Sequence, residues 1–324
     1  MTPNSPLFVS KVKPRTQLIY GPSGVGKTTQ LYWLAKMMKE KYGKISRLII
    51  AGGGGIEPFE DAGLVDDGWV QVHNIASSKT PLSDVRMLSE GYWPRDDMIG
   101  PDGGRYFEAN QFCATQDFSH IGAYFIEGMT DVCSLFMDHI RNTGTVQYKQ
   151  SVAYSQGGYL FGEVQKGHYK FVQQECHFVH CRGFASLPVP LIVWTALEDK
   201  GYDDSKGQDI FGPQLAGHAA TAEAPSWFGD TFHIASYQVP QQTPNGTVIK
   251  DIRVAYLRNH QEQGQIAPYV SRVRMAPEGI PLLERAFPGW YVPLDLDGGL
   301  DRYYLELMSI KEQLREKQQQ REYL

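Results

Sequence analysis

LIYGPSGVGKTTQLYWLAKMMKEKYG, residues 18–43, sets a glycine-rich loop between a short apolar run and a long amphipathic one. Within it GPSGVGKT, residues 21–28, fits the pattern G-x-x-x-x-G-K-[ST] in full. TQLIY before the loop reads as a buried strand. After it Leu31, Leu34, Ala35, Met38 and Tyr42 recur at helical spacing, so the loop joins a strand to a helix, the context this pattern needs. Glycines let the backbone curl until successive N–H groups point at a phosphate, and the helix start adds its positive dipole end. Lys27 is placed to reach β- and γ-phosphate oxygens, and the Thr28 hydroxyl to hold Mg²⁺. Gly21, Pro22, Ser23, Gly24, Val25, Gly26, Lys27, Thr28 and Thr29 are therefore the expected nucleotide-binding residues.

Such a loop needs a second acid on a neighbouring strand to complete the metal shell. In GAYFIEGMTDVC the apolar run 123–126 reads as a strand with Glu127 at its carboxyl end, where open α/β sheets place ligands. Aspartate is usual there; glutamate does the same work with one more methylene, and Asp131, one helical turn on, is the substitute. Further strand-like runs are SRLIIAGGGG (46–55), GWVQVHNI (68–75), LPVPLIVWTALED (187–199) and DTFHIASYQV (230–239). Alternating with helical segments, they imply a mostly parallel sheet covered on both faces. Thr195 stands where a polar phosphate sensor would sit, or is a strand threonine packed in the sheet. Glu57 or Glu60, past the second strand, would orient the attacking water, with Glu57 preferred; the alternative is a pair of surface acids.

Composition sets the outer limits. A chain of 324 residues with 42% hydrophobic and 21% charged residues is ordinary for a globular protein with one sizeable core. No apolar run approaches the ~20 residues a membrane helix requires, and the first fifteen residues lack the apolar stretch of a secretory signal. Four cysteines do not suggest a disulfide scaffold and point to a reducing cytoplasm. A net charge of −5 argues against a general nucleic-acid coat but allows local patches, at Lys11, Lys13 and Arg15 and at Arg253, Arg258, Arg272 and Arg274. Either set also reads as a solvated face.

LIYGPSGVGKTT, the FIEG strand with the helix MTDVCSLFMDHI, the strand LIVWTALED and the segment FGPQLAGHAATAEAPSWFGDTFHI together resemble phage-encoded RecA-like P-loop ATPases, a family that includes single-strand annealing recombinases. The resemblance covers about residues 16–275. It implies an α/β RecA-like core with extra strands between the loop strand and the acidic strand, Mg-ATP dependence, single-stranded DNA as partner in recombination or replication, and assembly into a ring or filament. In such assemblies a basic residue from a neighbouring subunit meets the transferred phosphoryl group. In IRVAYLRNHQEQGQIAPYVSRVRMAP, read as two strands around a polar turn, Arg274 or Arg272 would be that residue; a DNA contact or a solvated edge are the competing readings. A nucleotide-dependent assembly protein that does not act on DNA is the alternative function. If phage-encoded, the protein would work in the host cytoplasm.

The expected division is a core over 1–280, carrying an insertion at about 76–120, followed by a C-terminal extension and helical tail over 281–324. The insertion, with Tyr92, Trp93, Tyr106 and Phe107 among Arg95 and Arg105, is either a partner-binding element or a lobe with its own small core. Residues 151–171 mix tyrosines with Lys166, His168 and Lys170 and read as a connector or a single-strand contact. Cys176, His177, His180 and Cys181 crowd together but would not converge on a metal from one helix. The tail from Leu300, with Tyr304, Leu307, Met308 and Leu314 on one side, reads as a docking or oligomer-contact helix.

Overall fold

Strands that are apolar without alternation need cover on both sides, and the chain supplies it by winding helices around a single large sheet. In the computed structural model, residues 13–52, 54–76, 78, 80–94, 112–143, 166–203, 207–243, 246–261, 267–295 and 297–322 are described. The elements follow in chain order: β1 Arg15–Tyr20, α1 Lys27–Tyr42, β2 Ile45–Ile50, α2 Glu57–Glu60, β3 Val70–Asn74, α3 Pro81–Ser89, β4 Tyr92–Pro94, β5 Phe112–Ala114, β6 Ile121–Glu127 and α4 Met129–Thr143. Then come α5 Lys166–Phe178, β7 Leu191–Ala196, β8 Glu198–Asp203, β9 Gln208–Pro213, α6 His218–Glu223, β10 Asp230–Thr243, β11 Gly246–Tyr256, β12 Arg272–Val273, α7 Ile280–Ala286, β13 Tyr291–Leu294 and α8 Leu300–Glu322.

The main sheet runs β13-β11-β10-β1-β7-β6-β2-β3, with β12 beside the start of β10. From β10 to β3 every neighbouring pair is parallel, and β11, β12 and β13 are antiparallel additions. The fold is therefore α/β with a mostly parallel sheet. One parallel strand, β7, separates the loop strand β1 from the acidic strand β6 in the sheet, and the runs expected between them in chain order are β2 and β3. Alternate residues divide between two cores: Leu18, Tyr124 and Trp194 pack with α3, α4 and α5, while Ile19, Phe125 and Val193 pack with α1 and α8.

Three expectations are corrected by the pairing. The long hairpin is made by β10 and β11, in register from His233↔Tyr256 to Thr243↔Gly246, and not by two strands around the polar run after Arg258. Between the two strands the sequence reads TPNG, whose Asn-Gly is a dipeptide signal for reversal. The segment beyond residue 280 packs into the same core: β13 extends the sheet beside β11, and Tyr303, Tyr304, Leu307 and Met308 of α8 are buried with α1 residues. Its apolar side is thus covered within the chain. Arg15, read as part of a local basic patch or of a solvated face, instead opens β1 in a buried ion pair with Asp230. Within the 76–120 region, Trp93 and Phe112 lie in the core and the Arg47 guanidinium stacks 4.6 Å from the Trp93 ring. Arg95, Arg105, Tyr106 and Phe107, and most of 151–171, lie outside the described residues.

Candidate functional site

The carboxyl ends of β1, β6 and β7 meet at one edge of the sheet, and the loop 21–26 crosses that edge into α1. Gly26 has φ of 98°, a left-handed conformation suited to glycine, and it brings the next N–H groups round the start of α1. Lys27 Nζ donates to the carbonyl oxygens of Gly21 at 3.0 Å and Pro22 at 2.7 Å. Burial lowers its pKa, while the carboxylates of Glu127 and Glu198 work in the other direction. The ammonium is held by its own loop, facing a cleft of about 350 Å³ that Thr28, Glu127, Asp131 and Thr195 share.

At the centre of that cleft is one carboxylate. Thr28 Oγ1 donates to Glu127 Oε1 at 2.9 Å, and Thr195 Oγ1 donates to Glu127 Oε2 at 2.8 Å. Thr195 Oγ1 in turn accepts from Gly128 N at 2.9 Å, which fixes its proton toward Glu127. Burial raises the Glu127 pKa; its two hydroxyl donors and Lys27 offset part of that, and Asp131 adds to it. Here Thr195 orients the carboxylate. Asp131 packs against Gly52 and Gly128, and its own pKa is raised by burial. Two acids and a threonine hydroxyl beside the P-loop are hard oxygen donors, the set that suits Mg²⁺.

Glu57 reaches the same corner through the backbone. A Cβ at Gly55 would stand 3.0 Å from Glu127 Cγ and 3.5 Å from Thr28 Cγ2, so the loop after β2 lies against the acid and the threonine. Gly55 N donates to Glu57 Oε2 at 3.0 Å. Backbone N–H groups of Glu57 itself and then of Gly55 hold the Glu57 carboxyl below its ordinary value. Glu60 stands at the other end of the same short helix, and both carboxylates are exposed.

Arg272 and Arg274 lie elsewhere. β12 pairs with Asp230 and Thr231 at the start of β10, the end of the sheet remote from the loop. Arg272 Nη2 donates to Phe228 O at 3.1 Å and Arg274 Nη2 to Ser226 O at 2.9 Å. Arg272 lines a separate cavity of about 580 Å³, larger than the cleft at the loop but with none of its residues. Within one chain neither arginine meets the phosphate loop. The cysteine and histidine group also separates: Cys176 Sγ lies 3.4 Å from Cys133 Sγ, and His180 stacks on Phe228 with ring centroids 4.0 Å apart.

Several residues at the site escaped the sequence reading. Arg253 of β11 lines the main cleft and a second one of about 310 Å³ beside Pro22–Val25. In that second cleft Glu198 Oε2 is 2.9 Å from His233 Nε2, and His233 Nδ1 is 3.1 Å from His260 Nε2. Burial pushes the His260 pKa down to about 3, so its ring is neutral. The signal for Glu198 was the polar end of the run LIVWTALED.

No protein-family model matches the sequence, and no curated protein matches it. Among solved structures the chain is similar to a KaiC-like protein from the hyperthermophilic archaeon Pyrococcus horikoshii, at 9% identity over 88% of this chain and 86% of that one, with a TM-score of 0.39. So distant a likeness assigns no residue role. No helix among the described residues is long and apolar enough to cross a membrane.

Proposed function

We propose that this chain binds and hydrolyses Mg-ATP on the loop 21–29. The observation that carries the reading is the pair of hydroxyl hydrogen bonds from Thr28 and Thr195 onto the buried Glu127 carboxylate beside Lys27. Lys27 would leave its two carbonyl acceptors to meet the β- and γ-oxygens, while Thr28 and Glu127 hold the metal, with Asp131 close behind. A bound Mg²⁺ supplies positive charge against the transferred phosphoryl oxygens. Glu57 orients water, tied to the same corner through Gly55. Thr195 fixes the carboxylate that faces the metal.

The finer reading is action on single-stranded DNA in phage recombination or replication, by a homo-oligomer in which Arg274 or Arg272 serves the neighbouring subunit. Its support is the resemblance of the segment 211–234 and the surface position of Arg274. Phosphate release from ATP, measured with Mg²⁺, with EDTA and with added single-stranded DNA, tests both levels. Mg-dependent release that rises with DNA supports both. Release that ignores DNA, with no salt-dependent DNA binding, removes the finer reading and leaves the ATPase. Absence of release in every condition removes the hydrolytic reading.

A further inference from the structure

We infer that Arg253 is a nucleotide-binding residue that acts within its own chain, holding the α- and β-phosphates from the side of the loop opposite the metal corner. The inference rests on the Mg-ATP reading of the loop and adds a cation to it. Along β11 side chains alternate, and Ala255 and Leu257 are buried in the core with Leu31 and Leu34 of α1. Two residues earlier on the same face, Arg253 passes the edge of that core where α1 begins. A Cβ at Gly26 would lie 3.2 Å from Arg253 Nη1 and 3.8 Å from Thr29 Oγ1, so the guanidinium sits over the last loop glycine and the first turn.

Arg253 is exposed, and three features distinguish it from other surface charges. Its backbone is fixed on both sides, opposite Ser236 of β10 and Leu294 of β13. Among the described residues it has no hydrogen-bond or ion-pair partner, unlike Arg15, Arg47, Arg86 and Arg302. It also lines both clefts that flank the loop, together with Ser23 and Gly24. A guanidinium presents a planar fork of donors that matches phosphate oxygens, and here the fork is carried on a strand and not on a loop.

Position decides which phosphates it meets. Lys27 and the Thr28–Glu127 contact mark the side of the metal and the γ-phosphate. Arg253 approaches against Gly26 and Thr29, where the loop N–H groups cradle the α- and β-phosphates. ATP and ADP share those groups, so the arginine holds both alike.

The test is titration of fluorescent ATP and ADP analogues into the full chain with Mg²⁺, alongside steady-state hydrolysis. Arg253→Ala should weaken ATP and ADP binding by a similar factor, about 10- to 100-fold, with the loss of kcat/KM carried by KM. Arg253→Lys should recover part of the affinity. Unchanged affinities in Arg253→Ala would overturn the inference, as would a loss confined to ATP or a fall in kcat at constant KM, which would mark a γ-phosphate contact. Lys27→Ala separates this failure from that of the loop itself: if the wild type binds neither nucleotide, or Lys27→Ala binds both normally, the Mg-ATP reading falls and the inference with it.

Discussion

Glu127→Gln should lower Mg-dependent hydrolysis by about 100-fold or more and at the same time raise the melting temperature of the nucleotide-free protein. The two effects share one cause, a half-buried carboxylate whose charged form burial disfavours. Glutamine fits that place. Thr195 accepts from Gly128 N and must donate onward, so it takes the amide oxygen. The Thr28 hydroxyl has its single contact at the acid and can turn to accept from the amide nitrogen. Removing the charge then stabilises the apo chain by about 1 kcal/mol or more, roughly 2–4 °C per kcal/mol in a domain of this kind.

The pH dependence has a definite sign. Burial raises the Glu127 pKa above its ordinary 4.5 in the folded chain. Between 4.5 and the raised value the folded state holds the proton more strongly than the unfolded one, so wild-type stability falls as pH rises through that window. The advantage of Glu127→Gln should therefore be full above the window and vanish below it. Melting curves of both proteins across that range check the prediction. A variant less stable than wild type at pH values above that window would show that the carboxylate is not a stored cost.

Arg15→Ala should cost about 3–5 kcal/mol, with a fall in melting temperature of roughly 10 °C or more. Asp230 is fully buried and receives Arg15 through both ends of its carboxylate, Nε to Oδ2 at 2.7 Å and Nη2 to Oδ1. Gln17 Nε2, at 3.5 Å from Oδ2, is too far to replace the cation. Taking away the arginine removes the only side chain that donates at close range to both carboxylate oxygens among the described residues and leaves the buried charge to the more distant cations of Lys311 and Arg272. Arg15→Met combined with Asp230→Leu should recover most of the loss, because the pair then leaves together. A loss below about 1 kcal/mol in Arg15→Ala would mean the pair behaves as a surface ion pair.

These residues also show what a sequence can disclose. Lys27, Thr28, Glu127 and Thr195 were legible because each sits at a strand end or helix start, a local position that apolar runs mark directly. Glu57 was named from its place past the second strand, and it opens the short helix seven residues beyond β2. Arg15 was opaque: its partner is 215 residues away, and only the pairing of β10 with β1 brings them together. Arg253 was opaque for a related reason, since its place over Gly26 depends on β11 being the second strand out from β1. The polar run NHQEQG reads as a turn between two strands, whereas the strands that pair flank the Asn-Gly of TPNGT. In α8 the apolar stripe was plain, but a stripe does not say whether its cover comes from the same chain or another; the cover is α1 and the strands beneath it.

The central claim is that the loop 21–29 with Glu127 is a Mg-ATP site, and calorimetric titration of ATP into wild type and Lys27→Ala, each with and without Mg²⁺, tests it most directly. The account predicts saturable wild-type binding that strengthens with Mg²⁺, and a loss of about 100-fold or more in affinity in Lys27→Ala. Equal binding by the two proteins, or wild-type binding indifferent to Mg²⁺, would contradict it.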